Sequence, residues 1–336
     1  MIEKILPPLS QRLREFIQQE LGANPSQESI IPLLGDASTR RYFRYVSDKK
    51  ESYILAAYPE PFEPQTFTYL QMHALFSELG LPVPELIALN GTLGIVLQED
   101  LGNETLFSRL KTASPEERGQ LIRGAIDYLI RIQQHGAAAL KPEYEASRLA
   151  LDEAKLGQEL GFFQEHYLEG YRGLSNAGEP ALAQEFSALV AELERSPRLL
   201  CHRDYQTRNL MLKQDRLYII DFQDARMGPS SYDLASLLKD SIQLEPEALR
   251  AEVDYYLSEA GQDGDLKWFD REFELMSIQR LLKALGTYGY QITVRGKRDS
   301  YLPYIAGSLQ RVSLSLQAVS GFPYIRSVVE RELAAL

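Results

Sequence analysis

The run Leu200-Cys201-His202-Arg203-Asp204-Tyr205-Gln206-Thr207-Arg208-Asn209 carries an aspartate and, after a four-residue gap, an asparagine. Twelve positions further on, Asp221 closes the apolar stretch Leu217-Tyr218-Ile219-Ile220. Moving a phosphoryl group asks little covalent chemistry of a protein. It asks for a base or orienter on the acceptor hydroxyl, and for hard oxygen ligands that hold Mg²⁺ against the phosphates. Asp204 suits the first task, and Asn209 with Asp221 suits the second. The spacing brings Asp204 and Asn209 to one mouth of the same loop, while Asp221 sits at a strand end, where a carboxylate leaves a sheet edge without burial. His202 and Arg203 orient the loop backbone, so Arg203 is counted with Asp204 as catalytic. A surface hairpin with chance charges explains a lone His-Arg-Asp, but not its joint spacing with Asp221. Further on, Ser231-Tyr232-Asp233 opens a capped helix, and Asp233 is expected to brace the catalytic loop.

These residues need elements to position them. The 336 residues exceed the ~250–300 at which a single core stops growing, so two lobes are expected. With 47 acidic against 36 basic residues the net charge is −11, which argues against nucleic acid and acidic membrane surfaces as partners. No apolar run of about 18 residues suggests a membrane span, and the first residues lack a secretory pattern. The single cysteine, Cys201, reads as a small core residue and fits a reducing compartment. The expectation is a soluble, cytoplasmic monomer acting on a small-molecule acceptor, without nucleic-acid or membrane partners.

The fold class expected is α+β, a protein-kinase-like bilobal fold: a β-rich N-lobe over 1–98, a hinge at 99–102 and a helical C-lobe over 103–336. Leu9, Leu13, Phe16, Ile17 and Leu21 make one stripe of a helix over 9–21 that Ser10 can cap. Strand-like material runs from Ile30 to Ala57, and its hairpin over 36–44 is a candidate phosphate cover through Asp36, Ser38, Thr39, Arg40, Arg41 and Arg44. The third strand, where a kinase carries its phosphate-pairing lysine, offers Ala56 and Ala57 instead. Either hairpin arginines neutralise the phosphates or nucleotide binding has decayed. A helix is expected over 62–79, with His73 at the core or rim. Two strands follow, 85–89 and 93–98. At the hinge, Gln98, Glu99 and Leu101 are candidates for meeting an adenine edge. Beyond it, helices are expected over 116–135 (ended by Gly136), 152–171 and 181–195, with the remainder helical apart from the basic loop Arg295-Gly296-Lys297-Arg298. Asp152, Glu153, Glu159 and Glu165 read as a solvated face or as carboxylates for a polar acceptor.

The hairpin Gly-Asp-Ala-Ser-Thr-Arg-Arg-Tyr-Phe-Arg, the hinge Gln-Glu-Asp-Leu-Gly, the loop Cys-His-Arg-Asp-Tyr-Gln-Thr-Arg-Asn-Leu and the strand Ile-Ile-Asp-Phe-Gln-Asp-Ala resemble the aminoglycoside phosphotransferase family. Within it, the chain is similar to anomeric sugar kinases acting on N-acetylmuramate and N-acetylglucosamine. That narrower likeness rests on the hairpin and on Gln279-Arg280, Lys283 and Leu285-Gly286. The resemblance implies ATP and Mg²⁺ as cofactors, Asp204 as base, Asn209 and Asp221 as metal ligands, and a sugar 1-phosphate product used in cell-wall recycling. A protein kinase is disfavoured, because only about ten residues separate Asp221 from the Ser231 helix and no Ala-Pro-Glu follows. A kinase for an aminoglycoside, choline or homoserine, and a nucleotide-binding pseudokinase, remain open.

Overall fold

A computed structural model of the chain describes residues 6–26, 28–33, 40–174, 180–261 and 266–336. Contacts divide the chain into two compact units: Met1–Thr105 with Met211–Gln223, and Leu106–Leu210 with Asp224–Leu336. The segment Met211–Gln223, expected in the second lobe, therefore belongs to the first unit.

The first unit opens with α1 (Leu9–Leu21), which buries Arg12, Leu13, Phe16 and Ile17. Its sheet contains β1 (Ile30–Pro32), β2 (Arg41–Val46), β3 (Ser52–Ala57), β4 (Leu86–Asn90) and β5 (Ile95–Glu99), with α2 (Thr68–Glu78) between β3 and β4. The strand order is β1-β2-β3-β5-β4, and every pairing is antiparallel. Period-2 alternation turns Phe43 and Tyr45 of β2 inward, where they meet Leu13, Phe16, Ile17, Leu55, Ile95 and Leu97. Arg12 is buried yet satisfied: its Nε donates to the Leu93 carbonyl at 2.8 Å and its Nη2 to the Tyr58 carbonyl at 2.7 Å. The hairpin of Leu210–Lys213 and Arg216–Ile219 is tied in by two backbone bonds of 2.8 Å, Leu212 N–H to Glu104 and Ile219 N–H to Pro82. Phe222 then buries its ring against Tyr69 and Phe76, with centroids 5.2 and 5.4 Å away.

Two expectations in this unit need correction. Ser10 does not cap α1, whose N-cap is Pro8. Helix α2 begins at Thr68 rather than Phe62, because Phe62 N–H bonds the Gly91 carbonyl and the Phe62 ring stacks on Phe67 with centroids 4.0 Å apart.

The second unit is helical, built from α3 (Leu106–Leu110), α4 (Pro115–Ala139), α5 (Glu153–Phe162), α6 (Pro180–Leu193), α7 (Tyr232–Ala235), α8 (Pro246–Glu259), α9 (Leu266–Thr293), α10 (Arg298–Ala318) and α11 (Pro323–Ala334). Helix α5 continues as a π-helix over Phe163–Tyr171, so 152–171 is one rod whose winding widens midway. Helix α9 is the unit's axis and is buried along most of its length. A Cβ at its Gly289 would lie 2.3 Å from the His166 carbonyl oxygen, so only glycine admits this close approach of two backbones. Gly136 does not end α4. A Cβ there would lie 2.5 Å from Leu200 Cδ2, and the glycine lets the strand Arg198–Cys201 press against the helix. Ser231 precedes α7 but makes no side-chain cap; its N–H donates to Glu272 instead. The α+β class expected from the sequence is the one observed.

Candidate active site

In the second unit the strand Arg198–Cys201 pairs antiparallel with Arg226–Pro229 and delivers the chain into the loop at His202. Cys201 is fully buried, and its thiol is pushed well up by that burial, so it is a core residue as its flanks suggested. Two successive N–H groups, of His202 and Arg203, donate to Asp233 Oδ2 and Oδ1 at 2.6 and 3.1 Å. Asp233 thus braces the loop. Burial pushes its carboxyl above the usual range, against the pull of His202, Arg280 and those N–H groups. Arg203 takes φ of 81°, a left-handed conformation that costs a non-glycine residue about 1–3 kcal/mol and needs an over-determined setting. Arg280 completes that setting. Its Nη1 donates to the Arg203 carbonyl at 3.3 Å, its Nε to Asp240 at 2.8 Å and its Nη2 to Ser236 Oγ at 2.7 Å, while its guanidinium carbon lies 4.2 Å from the Tyr232 ring centre.

The bend aims Asp204. Its N–H donates to His202 Nδ1 at 3.3 Å, and its carbonyl accepts from Gln206 N–H and from Asn209 Nδ2, both at 2.8 Å. Burial would raise the Asp204 carboxyl, but Lys283, Arg203, Arg280 and His202 outweigh it and hold the group below the usual range. Asp204 is therefore a standing carboxylate among cations, suited to orienting an acidic hydroxyl and taking its proton late.

Glu159 completes this cluster. It is 5% exposed, not on a solvated face. Its Oε1 lies 3.6 Å from Lys283 Nζ and 3.9 Å from Arg203 Nη2, and its Oε2 accepts from Gln279 Nε2 at 3.0 Å. Lys283 also donates to the Tyr232 hydroxyl at 3.3 Å. The sequence held a signal for Glu159: Leu156, Glu159, Leu160 and Phe163 share one helical stripe, so this glutamate travels with core residues. Asp152, by contrast, caps α5 at Lys155 N–H.

In the first unit Asp221 follows the strand Arg216–Ile219 in a left-handed conformation, φ 63°, with its side chain 34% exposed. Its Oδ1 accepts from Arg40 Nη2 at 2.6 Å and from Gln223 Nε2 at 3.1 Å. Arg44 is engaged elsewhere: it grips Asp100 with two bonds of 2.6 and 3.0 Å and reaches Gly102 O and Asn103 Oδ1. Asp100 is held below the usual range, since Arg44, Ser52 and the Gly102 N–H outweigh its burial. Arg41 is exposed, 5.4 Å from the Phe43 ring centre. Gln98 Oε1 accepts from Tyr69 OH at 2.6 Å, Glu99 pairs with Lys213 at 2.7 Å, and Leu101 is buried. His73 bonds the Pro84 carbonyl at 2.8 Å and packs by Phe222. The candidates Asp36, Ser38 and Thr39 lie outside the described residues.

The donor types suit Mg²⁺. Among the described residues no three His, Cys, Asp or Glu side chains cluster as a ready-made metal site. Mg²⁺ in phosphoryl transfer draws instead on one or two protein oxygens and the phosphates themselves. Asn209 commits its amide nitrogen to the Asp204 carbonyl, which presents Oδ1 as the oxygen to offer. The partly exposed Asp221 carboxylate is the same kind of hard ligand.

A family model described as "phosphotransferase enzyme family" matches residues 29–268. Curated relatives named N-acetylmuramate/N-acetylglucosamine kinase include one from Pseudomonas aeruginosa, 32% identical over 85% of this chain and 83% of its own length. Another, from Neisseria meningitidis serogroup B, is 33% identical over 83% of this chain and 84% of its own. Solved structures with the same fold include the gentamicin complex of APH(2")-IIa, at TM-score 0.62 and 15% identity over 91% of this chain and 97% of that one. A choline/ethanolamine kinase family protein from Mesorhizobium loti also has TM-score 0.62, at 16% identity over 96% of this chain and 99% of that one.

Proposed function

This chain belongs to the phosphotransferase enzyme family and is an ATP-dependent kinase, and from that premise we propose that it phosphorylates the anomeric hydroxyl of N-acetylmuramate and N-acetylglucosamine. The observation that carries the chemistry is the state of Asp204, a carboxylate kept ionised by Lys283, Arg203 and Arg280. A carboxylate is a weak base, but phosphoryl transfer asks it only to orient the hydroxyl and take the proton late. An anomeric hydroxyl is more acidic and needs only orientation and late proton acceptance. The names of the curated relatives support the choice of acceptor.

In this reading Asp204 Oδ orients the attacking hydroxyl and receives its proton, and Arg203 and Asp233 keep the loop in place. Asn209 Oδ1 and Asp221 would hold Mg²⁺, which would neutralise phosphate charge when bound. The division into an N-lobe, a hinge at 99–102 and a C-lobe is part of the same proposal, with Gln98, Glu99 and Leu101 meeting the adenine. So are a cytoplasmic monomer, a place in cell-wall recycling, and the absence of nucleic-acid and membrane partners. The test is transfer from ATP and Mg²⁺ to N-acetylmuramate, N-acetylglucosamine, kanamycin, choline and homoserine, with Asp204→Ala as control. Phosphate on C1 of the amino sugars, lost in the variant, is the expected result. Transfer to a cationic acceptor alone would discard the sugar, and no transfer at all would make the chain a binding module.

A further inference from the structure

We propose that Lys155 and Arg226 form an anion subsite one layer beyond Asp204 and that it takes the carboxylate of an acidic acceptor sugar; the inference rests on the anomeric kinase reading above. Four segments of the second unit bring cations together here. Lys155 stands in the first turn of α5, one turn before Glu159, and Lys283 stands on α9, one turn after Gln279. Arg203 comes from the catalytic loop. Arg226 opens the strand Arg226–Pro229, paired with Cys201, the last strand residue before that loop.

Among the described residues none of these four cations closes tightly on a carboxylate. Lys283 Nζ is 3.6 Å and Arg203 Nη2 3.9 Å from Glu159, while Lys155 Nζ donates to Gln158 Oε1 at 3.0 Å. Arg203 and Arg226 share Asp224 at 3.3 and 3.6 Å, and Arg226 Nε donates to the Asp224 carbonyl at 2.9 Å. Elsewhere in the unit such pairs close fully: Lys239 meets Glu274, and Arg271 meets Glu192, both at 2.6 Å. The Asp224 side chain is 48% exposed, so an incoming carboxylate can take its place over Arg226. Burial, with Arg203, Arg226 and Lys283, holds the Lys155 ammonium below its usual range against Glu159 alone. Burial and Arg203 likewise hold Arg226 down, although Asp224 and Glu159 pull the other way. Lys155 also sits at the positive end of its helix, where a cation is disfavoured. A further anion would relieve all of these strains at once. The charges that act most on Asp204 are Lys283, Arg203, Arg280 and His202. Lys155 and Arg226 stand behind Arg203, which belongs to both groups. They therefore suit an acceptor whose negative charge lies away from its reacting hydroxyl. N-Acetylmuramate is such an acceptor: it is N-acetylglucosamine with a lactyl ether, whose carboxylate is several bonds from the anomeric hydroxyl.

The test is steady-state kinetics of the whole protein with N-acetylmuramate, its methyl ester and N-acetylglucosamine. The chains compared are the wild type, Lys155→Met, Lys155→Arg and Arg226→Gln, with thermal melts to verify folding. The quantity read is the ratio of kcat/KM for N-acetylmuramate to that for N-acetylglucosamine, in which a general loss of activity cancels. A hydrogen bond to a charged group is worth about 10- to 150-fold in affinity, so Lys155→Met and Arg226→Gln should each lower the ratio by about that factor, through KM. Lys155→Arg keeps the charge and should keep most of the ratio. The wild type should handle the uncharged methyl ester like N-acetylglucosamine, a readout that needs no variant. Equal handling of acid and ester by the wild type would overturn the subsite. So would a ratio unchanged in both neutral variants; if both sugars were weakened alike, the cations would serve the transferred phosphoryl group or the fold. Either result leaves the anomeric kinase reading intact. A wild type that phosphorylates neither sugar would bring down that reading and this inference with it.

Discussion

Asp204 and Asp221 are carboxylates presented by left-handed bends, at Arg203 with φ 81° and at Asp221 itself with φ 63°. Their settings differ. Around Asp204, Lys283, Arg203, Arg280 and His202 all act on one carboxylate, and the loop backbone is clamped by the buried Asp233 and Arg280. Around Asp221 the pairing among the described residues is with Arg40 and Gln223, and the side chain keeps a third of its surface open. The contrast matches the roles proposed for the two carboxylates. A group that meets charge developing in a reaction works best fixed beforehand, in a redundant network. A group that takes up and gives back an exchangeable ligand needs an accessible oxygen and a partner that can share it.

The largest test of this contrast is Asp204→Asn. It keeps shape and hydrogen bonding but cannot accept the proton, so kcat should fall by about 10²–10⁴-fold with ADP affinity unchanged in calorimetry. Arg280→Met comes next. It leaves Asp240 buried without its cation and the Arg203 carbonyl without its donor, and breaking a buried pair in this way costs about 3–5 kcal/mol, read as a lower urea midpoint. Arg40→Gln should be milder by the same measure. Its pair with Asp221 is less buried than that of Arg280 with Asp240, so the loss of stability should be the smaller of the two. Equal stability losses for the Arg280 and Arg40 variants would break the comparison.

The sequence displayed these two regions unequally. Asp204, Asn209 and Asp221 stand out because phosphoryl transfer fixes their types and a short loop fixes their spacing. Asp233 was legible for the same local reason, coming at a helix start soon after. The elements of the sheet followed from alternation and turns. What could not be read was pairing across long separations. Arg280 grips the carbonyl of Arg203 from 77 residues away, and nothing local to α9 announces it. Glu159 lay on an apolar stripe that reads as core, but its charge suggested solvent until Arg203, Lys283 and Gln279 were found around it. Among Arg40, Arg41 and Arg44, alternation along the strand separates faces but cannot say which arginine meets Asp221 and which meets Asp100.

The smallest expected effect falls on Lys283. Of the charges that hold the Asp204 carboxyl down, Lys283 acts most strongly, ahead of Arg203, Arg280 and His202. With Asp204 as the proposed base, the working form is the carboxylate, and activity should be lost on the acid side as pH falls through its pKa. Lys283→Met removes a depressing charge, so that pKa rises and the acid limb of kcat/KM should move to higher pH, with the plateau changed less than in Asp204→Asn. Methionine keeps most of the volume beside Tyr232, and Gln279 still holds Glu159, so the fold should survive. An acid limb that does not move would mean that Lys283 acts on Glu159 and Tyr232 alone, and that the cationic setting of Asp204 comes from Arg203 and Arg280.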